Sequence, residues 1–347
     1  MRVDNPVPPS VSMEGMAEGR FVSRRDMAHC AISGRLNLLP VALQMSAAFD
    51  ILAAASRTLD RCLLAVLAIG FAFVMQMGLC LAHEAVHRKV HLKRTINVGV
   101  GVLACVLFPG SLHFCEVAHL LHHRRNRSND ELEDYVLPGE NPPIKRIMYY
   151  LLISGLFWLL LPLSSIIVAI ISRSRIRLPH PNKEVGEFRK FVQFPNGVKP
   201  GRVRRDLLVT AIVRAAAFPL LRLRLSSVAV WYAAFGFSWA SPQYFYHVRT
   251  PRHAVPGALD IKLWGSLRGL HPSSNYHQTH HLAVWAPWNH LPSIAPQHPK
   301  RGYRATLMHL WQPAEPLEDA WTAQHQSSRP LPSGAERKRH LNVDLPW

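Results

Sequence analysis

Eight histidines of this chain fall into three short clusters with the spacing of metal ligands. "AHEAVH" sets His83 and His87 four residues apart, "AHLLHHRR" groups His119, His122 and His123, and "NYHQTHH" groups His277, His280 and His281. On a helix, residues three and four apart share a face. H-x-x-x-H therefore offers two imidazoles to one ion, and H-x-x-H-H offers at least two with a third beside them. Neutral imidazole is the commonest nitrogen ligand for zinc, copper, iron and nickel. With 20 histidines in 347 residues, an H-x-x-H-H pattern arises by chance roughly 0.07 times per chain. It occurs twice here, with an H-x-x-x-H besides. Eight imidazoles exceed what one ion accepts, so two ions are the economical reading.

Carboxylates are sparse inside the clusters. Glu84, Glu116, Asp130, Glu131 and Asp134 lie close enough in sequence to accept ring N–H groups and orient the imidazoles. "HEAVH" also matches H-E-x-x-H, in which two histidines hold zinc and the glutamate is the base of a peptide hydrolase. That reading leaves the second and third clusters without a role. A third alternative, a non-enzymatic metal-binding or transport protein, calls for polar residues within the apolar runs, and few are present.

The clusters lie at the edges of long apolar runs. Residues 62–82, 147–172 and 225–246 carry no charge and are each long enough for a helix to cross a bilayer. These runs make an integral membrane protein the expected class. Residues 1–30 have no apolar core, so a secretory signal peptide is not expected. Five cysteines without a C-x-x-C read as buried free thiols. The formal charge of +18 is carried by basic groups flanking the apolar runs, as in "SRSRIR" and "GRVRRD". That is a positive-inside bias, not a nucleic-acid footprint. It also suits anionic lipid or an acidic protein partner.

Residues 1–35 are polar and expected to lack order, 36–295 form the membrane domain, and 296–347 read as a polar tail. Residues 36–56 and 62–82 read as a helical hairpin that returns His83 to the membrane surface. All clusters must lie on one face to cooperate, so 95–112 should not make a single crossing, and an even number of crossings should separate His123 from His277. Of two arrangements that satisfy this, one lets 147–172 and 225–246 both cross, which places ten Lys or Arg of 173–206 on the wrong side. The preferred one lets 147–172 dip in and out around Pro162, and 207–246 form a hairpin turning near Arg222 and Arg224.

The three clusters, in this order and in this relation to the apolar runs, resemble the histidine boxes of the membrane fatty acid desaturase family. "HEAVH", "HHRRNRSNDELEDY" and the aromatic approach to the third box strengthen the likeness, which covers about residues 40–295. It implies an all-α membrane protein of about four transmembrane helices with a histidine-rich cap on the cytosolic side. It also implies two iron ions and O₂ as co-substrate, with His83, His87, His119, His122, His123, His277, His280 and His281 as ligands. Family members use a further histidine about 30 residues before the third box, which falls on His247. An amide four residues earlier holds a metal-bound water, which falls on Gln243, where some members carry Asn. The implied reaction is insertion of a double bond into a fatty acyl chain, with hydroxylation or ketolation of lipid or carotenoid on the same scaffold as the alternative. Trp231, Trp239 and Trp264 are candidate walls of the substrate slot. His91, His113, His253, His271 and His290 stand outside the pattern. No flavin or nicotinamide fingerprint and no cytochrome b5 motif is present, so electrons are expected from a separate ferredoxin or cytochrome b5-like donor.

Overall fold

The computed structural model describes residues 30–107, 110–156, 160–170, 198–263, 274–295 and 301–317. Most of the segment expected to lack order, 1–29, and the end of the tail, 318–347, lie outside the described residues.

Two long helices begin the fold. Helix α1 (Gly34–Arg57) and helix α2 (Arg61–Val86) pack along each other through a short turn, as the hairpin reading expects. Asp60 stops the chain from coiling through: its side chain accepts the Leu63 N–H at 2.8 Å and caps α2. Both helices are long and apolar enough to cross a membrane. At 26 residues α2 spans about 39 Å, more than the roughly 30 Å of a hydrocarbon core.

Helix α3 (Arg94–Ala104) has 11 residues, about 16 Å, too short to cross alone, as the one-face requirement demands. Helix α4 (Leu112–Arg125) follows. Its first turn is held by Asp206, a buried carboxylate of helix α7 (Pro200–Leu220) that accepts the Ser111 hydroxyl and the His113 N–H, each at 2.9 Å. A carboxylate at a helix N-terminus satisfies orphan donors and meets the positive end of the helix dipole.

The run 147–172 is broken, though not at Pro162. Helix α5 (Pro142–Ile153) ends at Ser154, and helix α6 (Leu160–Ile170) contains Pro162. Gly155 makes the break with φ +91°, and a Cβ there would meet the carbonyl oxygen of Gly236 at 2.2 Å. Only glycine fits that left-handed turn and that backbone approach.

Helix α7 turns at Arg222 into helix α8 (Leu225–Phe245), at the position where the sequence places a hairpin. The two helices splay, however. Helix α8 packs on α1, α2 and α5, whereas α7 packs on α3, α4 and α6. The hairpin therefore embraces the bundle and does not close on itself.

Residues 301–317, assigned from sequence to the polar tail, fold onto the body. Strand β1 (Tyr135–Val136) pairs in parallel with β4 (Glu315–Pro316), and β2 (Ile261–Lys262) with β3 (Arg301–Gly302). Helix α11 (Tyr303–Leu310) packs against α8, and the buried Tyr149 hydroxyl donates to the Leu310 carbonyl at 2.6 Å. Between β2 and β3 lie helices α9 (His277–Leu282) and α10 (Leu291–Ile294). All five cysteines are free, and Cys62 is exposed, not buried.

Candidate metal centre

Two histidine clusters sit where long helices end, and the third makes a short helix of its own. His83 lies in the last turn of α2 and His87 is its C-cap residue. The chain then reverses through Arg88, at φ +60°. Two buried asparagines hold this reversal. Asn37 donates to the Lys89 and Val90 carbonyls at 3.2 and 3.0 Å, and Asn97 accepts the Val90 N–H at 3.1 Å while donating to the Ala85 carbonyl at 2.9 Å. The second cluster forms the last turns of α4. The third forms the short helix α9, whose Thr279 is gripped by buried Asp260 through its N–H at 3.1 Å and its hydroxyl at 2.6 Å.

These elements bring all nine histidines together in two groups. His83, His87, His119, His123 and His280 form one; His122, His247, His277 and His281 form the other. In each, one ring nitrogen per residue lies within 4.8 Å of every other. The eight cluster histidines and His247 are therefore all brought together.

The first group cannot be explained by hydrogen bonding. The Nε2 atoms of His87, His119 and His123 form a triangle with sides of 2.9, 2.9 and 3.2 Å, and His280 Nε2 lies 3.1 Å from that of His123. A neutral imidazole carries one N–H, and three mutually facing nitrogens cannot each find an acceptor. Nitrogens that converge in this way could hold a metal cation. Adjacent imidazole nitrogens around a six-coordinate ion with bonds near 2.1 Å stand about 3.0 Å apart, which the triangle matches. His247 and His277 in the second group show the same spacing, Nε2 to Nε2 at 3.0 Å.

Three outer nitrogens of the second group are held. His122 Nδ1 meets the Glu131 carboxylate at 2.7 Å, His247 Nδ1 meets the Gly257 carbonyl at 2.8 Å, and His281 Nδ1 meets the Ala254 carbonyl at 3.1 Å. Each such bond fixes the proton on Nδ1 and turns the Nε2 lone pair inward. In the first group, the nearest carboxylate to His83 is Glu84, 3.9 Å from its Nδ1. Glu84 also accepts the Trp288 N–H at 3.2 Å.

Two of the expected orienting carboxylates do other work. Glu116 bonds His113 at 3.0 Å and Arg88, in the turn after α2, at 3.4 Å. Asp134 pairs with buried Arg127 at 2.6 Å and accepts the Arg249 N–H at 2.7 Å. It thereby clamps the chain after α4 to the chain after α8, bracing the second cluster against His247. The side chain of Asp130 lies outside the described residues.

The electrostatics follow from burial. Burial, followed by the charge neighbouring imidazoles would carry, holds His87, His119, His123, His277, His280 and His281 well below the usual imidazole range. Burial and then His122 do the same to His247. His122 differs: burial opposes its protonation, but Glu131, with Glu133 behind it, outweighs burial and raises it. Glu133 itself is pushed up to about 7, by burial first and Glu131 second. Lone pairs kept free of protons at neutral pH are what a metal needs.

A cavity of about 450 Å³ opens beside both groups, with His83, His119, His122, His247, His277 and His280 in its wall. Its apolar lining comes from Met75, Leu79 and Ala82 of α2 and Phe114 and Ala118 of α4. Gln243 and Glu133 also line it. Of the tryptophan walls drawn from sequence, Trp231 is not among the residues that line the cavity. Trp231 is buried in the core with the Arg214 guanidinium 4.7 Å over its ring. The Trp239 side chain, Trp264 and His271 lie outside the described residues. Trp288, which sequence reasoning passed over, lines the cavity.

Sequence reasoning also missed Asp260, Asp206, Glu133, Asn37 and Asn97. Asp260 lies 17 residues before His277, and no short-range spacing links the two.

A family model described as "Fatty acid desaturase" matches residues 61–312. No curated protein matches the chain.

Proposed function

Because the chain belongs to the fatty acid desaturase family, we propose that it is an O₂-dependent, non-haem diiron oxidoreductase of the membrane that introduces a double bond into a fatty acyl chain. One observation carries the reading: nine histidines meet in groups of five and four beside an apolar cavity. An all-nitrogen donor set of this size, spaced as for six-coordinate ions, suits two irons better than the single tetrahedral zinc of a hydrolase. When bound, two irons supply the oxidant, drawn from O₂ and two electrons, that removes hydrogen from an unactivated methylene.

The chain's own residues do the rest. His83, His87, His119, His123 and His280 hold one ion, and His122, His247, His277 and His281 the other. Glu131, Gly257 and Ala254 keep the Nδ1 protons of their histidines in place. Gln243, on α8 in the cavity wall, would hold a water beside that ion. Met75, Leu79, Ala82, Phe114 and Ala118 exclude bulk water and hold the alkyl chain against the histidines. Hydroxylation would use the same ligands and differ only in where the chain lies.

In this reading α1, α2, α7 and α8 cross the bilayer, with the histidine-rich cap on the cytoplasmic face. A ferredoxin or cytochrome b5-like protein brings electrons to that face. Lys93, Arg94 and Arg124, exposed beside the first two clusters, suit an acidic donor.

The test is metal analysis of detergent-purified protein, followed by turnover with O₂, a reduced electron donor and lipid, read by mass spectrometry. About two irons per chain and loss of two hydrogens from an acyl chain are expected. One zinc per chain with no O₂ uptake would sink the proposal.

Glu131→Gln sharpens it. The amide still reaches His122 but carries no charge, so the imidazole becomes a weaker donor. Iron affinity at the second group should fall by about 10- to 100-fold. A titration of metal-stripped protein with ferrous iron measures this, and unchanged affinity would show that Glu131 does not orient His122.

A further inference from the structure

Two glutamines lie in the helices that the sequence marks as apolar runs, and neither belongs to the histidine machinery. Gln76 sits on α2 in the wall of the cavity and is 7% exposed. Gln44 sits on α1, is 3% exposed, and neither its Nε2 nor its Oε1 has a hydrogen-bond partner among the described residues. Gln44 lies against Gly78, another residue of the cavity wall, so closely that a Cβ on Gly78 would stand 2.6 Å from its Nε2. Glycine there lets the carboxamide of α1 reach the lining of a cavity built mainly by α2.

The two amides share a depth. Gln76 is ten residues from the histidine end of α2 and Gln44 ten residues from the corresponding end of α1, about 15 Å in each helix. Buried amides keep their hydrogen-bonding demand, and an apolar surrounding without a partner is costly. A carboxamide presents a donor and an acceptor, so a hydroxyl group satisfies it in both roles. From Gln76 to His83 is seven residues, about 10 Å along the axis, the span of about eight methylene groups.

We propose that Gln76 and Gln44 form the far end of the substrate slot and select an acyl chain bearing a hydroxyl about eight carbons beyond the oxidised carbon, over one that ends there in a methyl group. This rests on the cavity being the acyl slot of the proposed oxidoreductase. A methyl end would leave the Gln44 amide unpaired beside the cavity wall, and a site built to bond a hydroxyl rejects the analogue that lacks it.

The test uses metal-loaded protein in detergent and displacement of a fluorescent fatty acid by two probes, hexadecanoic acid and its ω-hydroxy derivative. Wild type should bind the hydroxylated probe at least about tenfold more tightly. Gln44→Met and Gln76→Met, of similar shape without the amide, should each reduce that preference, and the double variant should abolish it while keeping wild-type iron content and elution volume. Equal binding of the two probes by wild type overturns the proposal, as does a preference that survives in the double variant. Failure of both probes to displace the label overturns it as well, even if two irons are bound, and the metal-centre reading would then stand without it. If wild type lacks iron, that reading falls first, and the probe preference still decides the subsite.

Discussion

His280→Ala is expected to strip iron from the protein and reduce turnover to below about one hundredth of wild type. Losing a group that merely orients a ligand costs 10- to 100-fold in metal affinity or activity, and loss of a ligand costs more. His280 is the member of the third cluster that joins the five-histidine group, across the fold from the other four. Its Nε2 is 3.1 Å from that of His123, and its ring centroid lies 4.5 Å from His83 and 4.6 Å from His87. Alanine there leaves four inward nitrogens from α2 and α4 with no counterpart from α9. Iron should fall from about two per chain to one or fewer, with elution volume unchanged. The same variant separates the rival built on "HEAVH". A zinc site made by His83 and His87 with a further ligand has no use for His280 and would keep its metal. His290→Ala serves as control, because His290 stands outside both groups and bonds the Ala31 carbonyl at 3.2 Å.

The site was legible from sequence because metal ligation is read in residue type and short spacing. His83 and His87, or His119 and His123, are four apart on one helix, and the backbone periodicity alone places them together. His247 could not be reached in that way. It lies 30 residues before His277, and only the family resemblance pointed to it. What supports the ligands was least legible. Asp206 grips α4 from a sequence distance of 93 residues, measured to His113, and Asp260 grips α9 from 19, measured to Thr279. Such pairings depend on how helices pack, which no local pattern encodes. Glu116 and Asp134 show the converse. They are near the second cluster in sequence, yet the turn of α4 sends one toward Arg88 and the reversal at Arg127, with φ +62°, sends the other toward Arg249. The fold was legible to a similar depth: the first hairpin follows from two apolar runs, whereas the splaying of α7 from α8 depends on what each packs against.

Stripped of metal, the protein should lose stability steeply as pH falls below about 6.5, the ordinary value for imidazole in the unfolded chain. Seven histidines, His87, His119, His123, His247, His277, His280 and His281, are held well below that value by burial and by one another. A group with a depressed folded value binds its proton more readily when unfolded. The stability it contributes is full above the unfolded value and is lost as pH falls. Two groups oppose this. His122 and Glu133 are raised in the folded state, so folding gains from their protonation as pH falls. With His253, which burial also lowers, eight groups against two leave a net uptake of protons on unfolding, worth at most several kcal/mol per pH unit at about 1.4 kcal/mol for each proton. The thermal midpoint of chelated protein should therefore drop between about pH 7.5 and 5.5. Glu131→Gln should steepen the drop, because without that carboxylate burial governs His122 and moves it to the majority side. A midpoint that rises with acid would mean that the imidazoles take up protons in the folded state, and the cage would then be a basic cluster, not a set of lone pairs kept for metal.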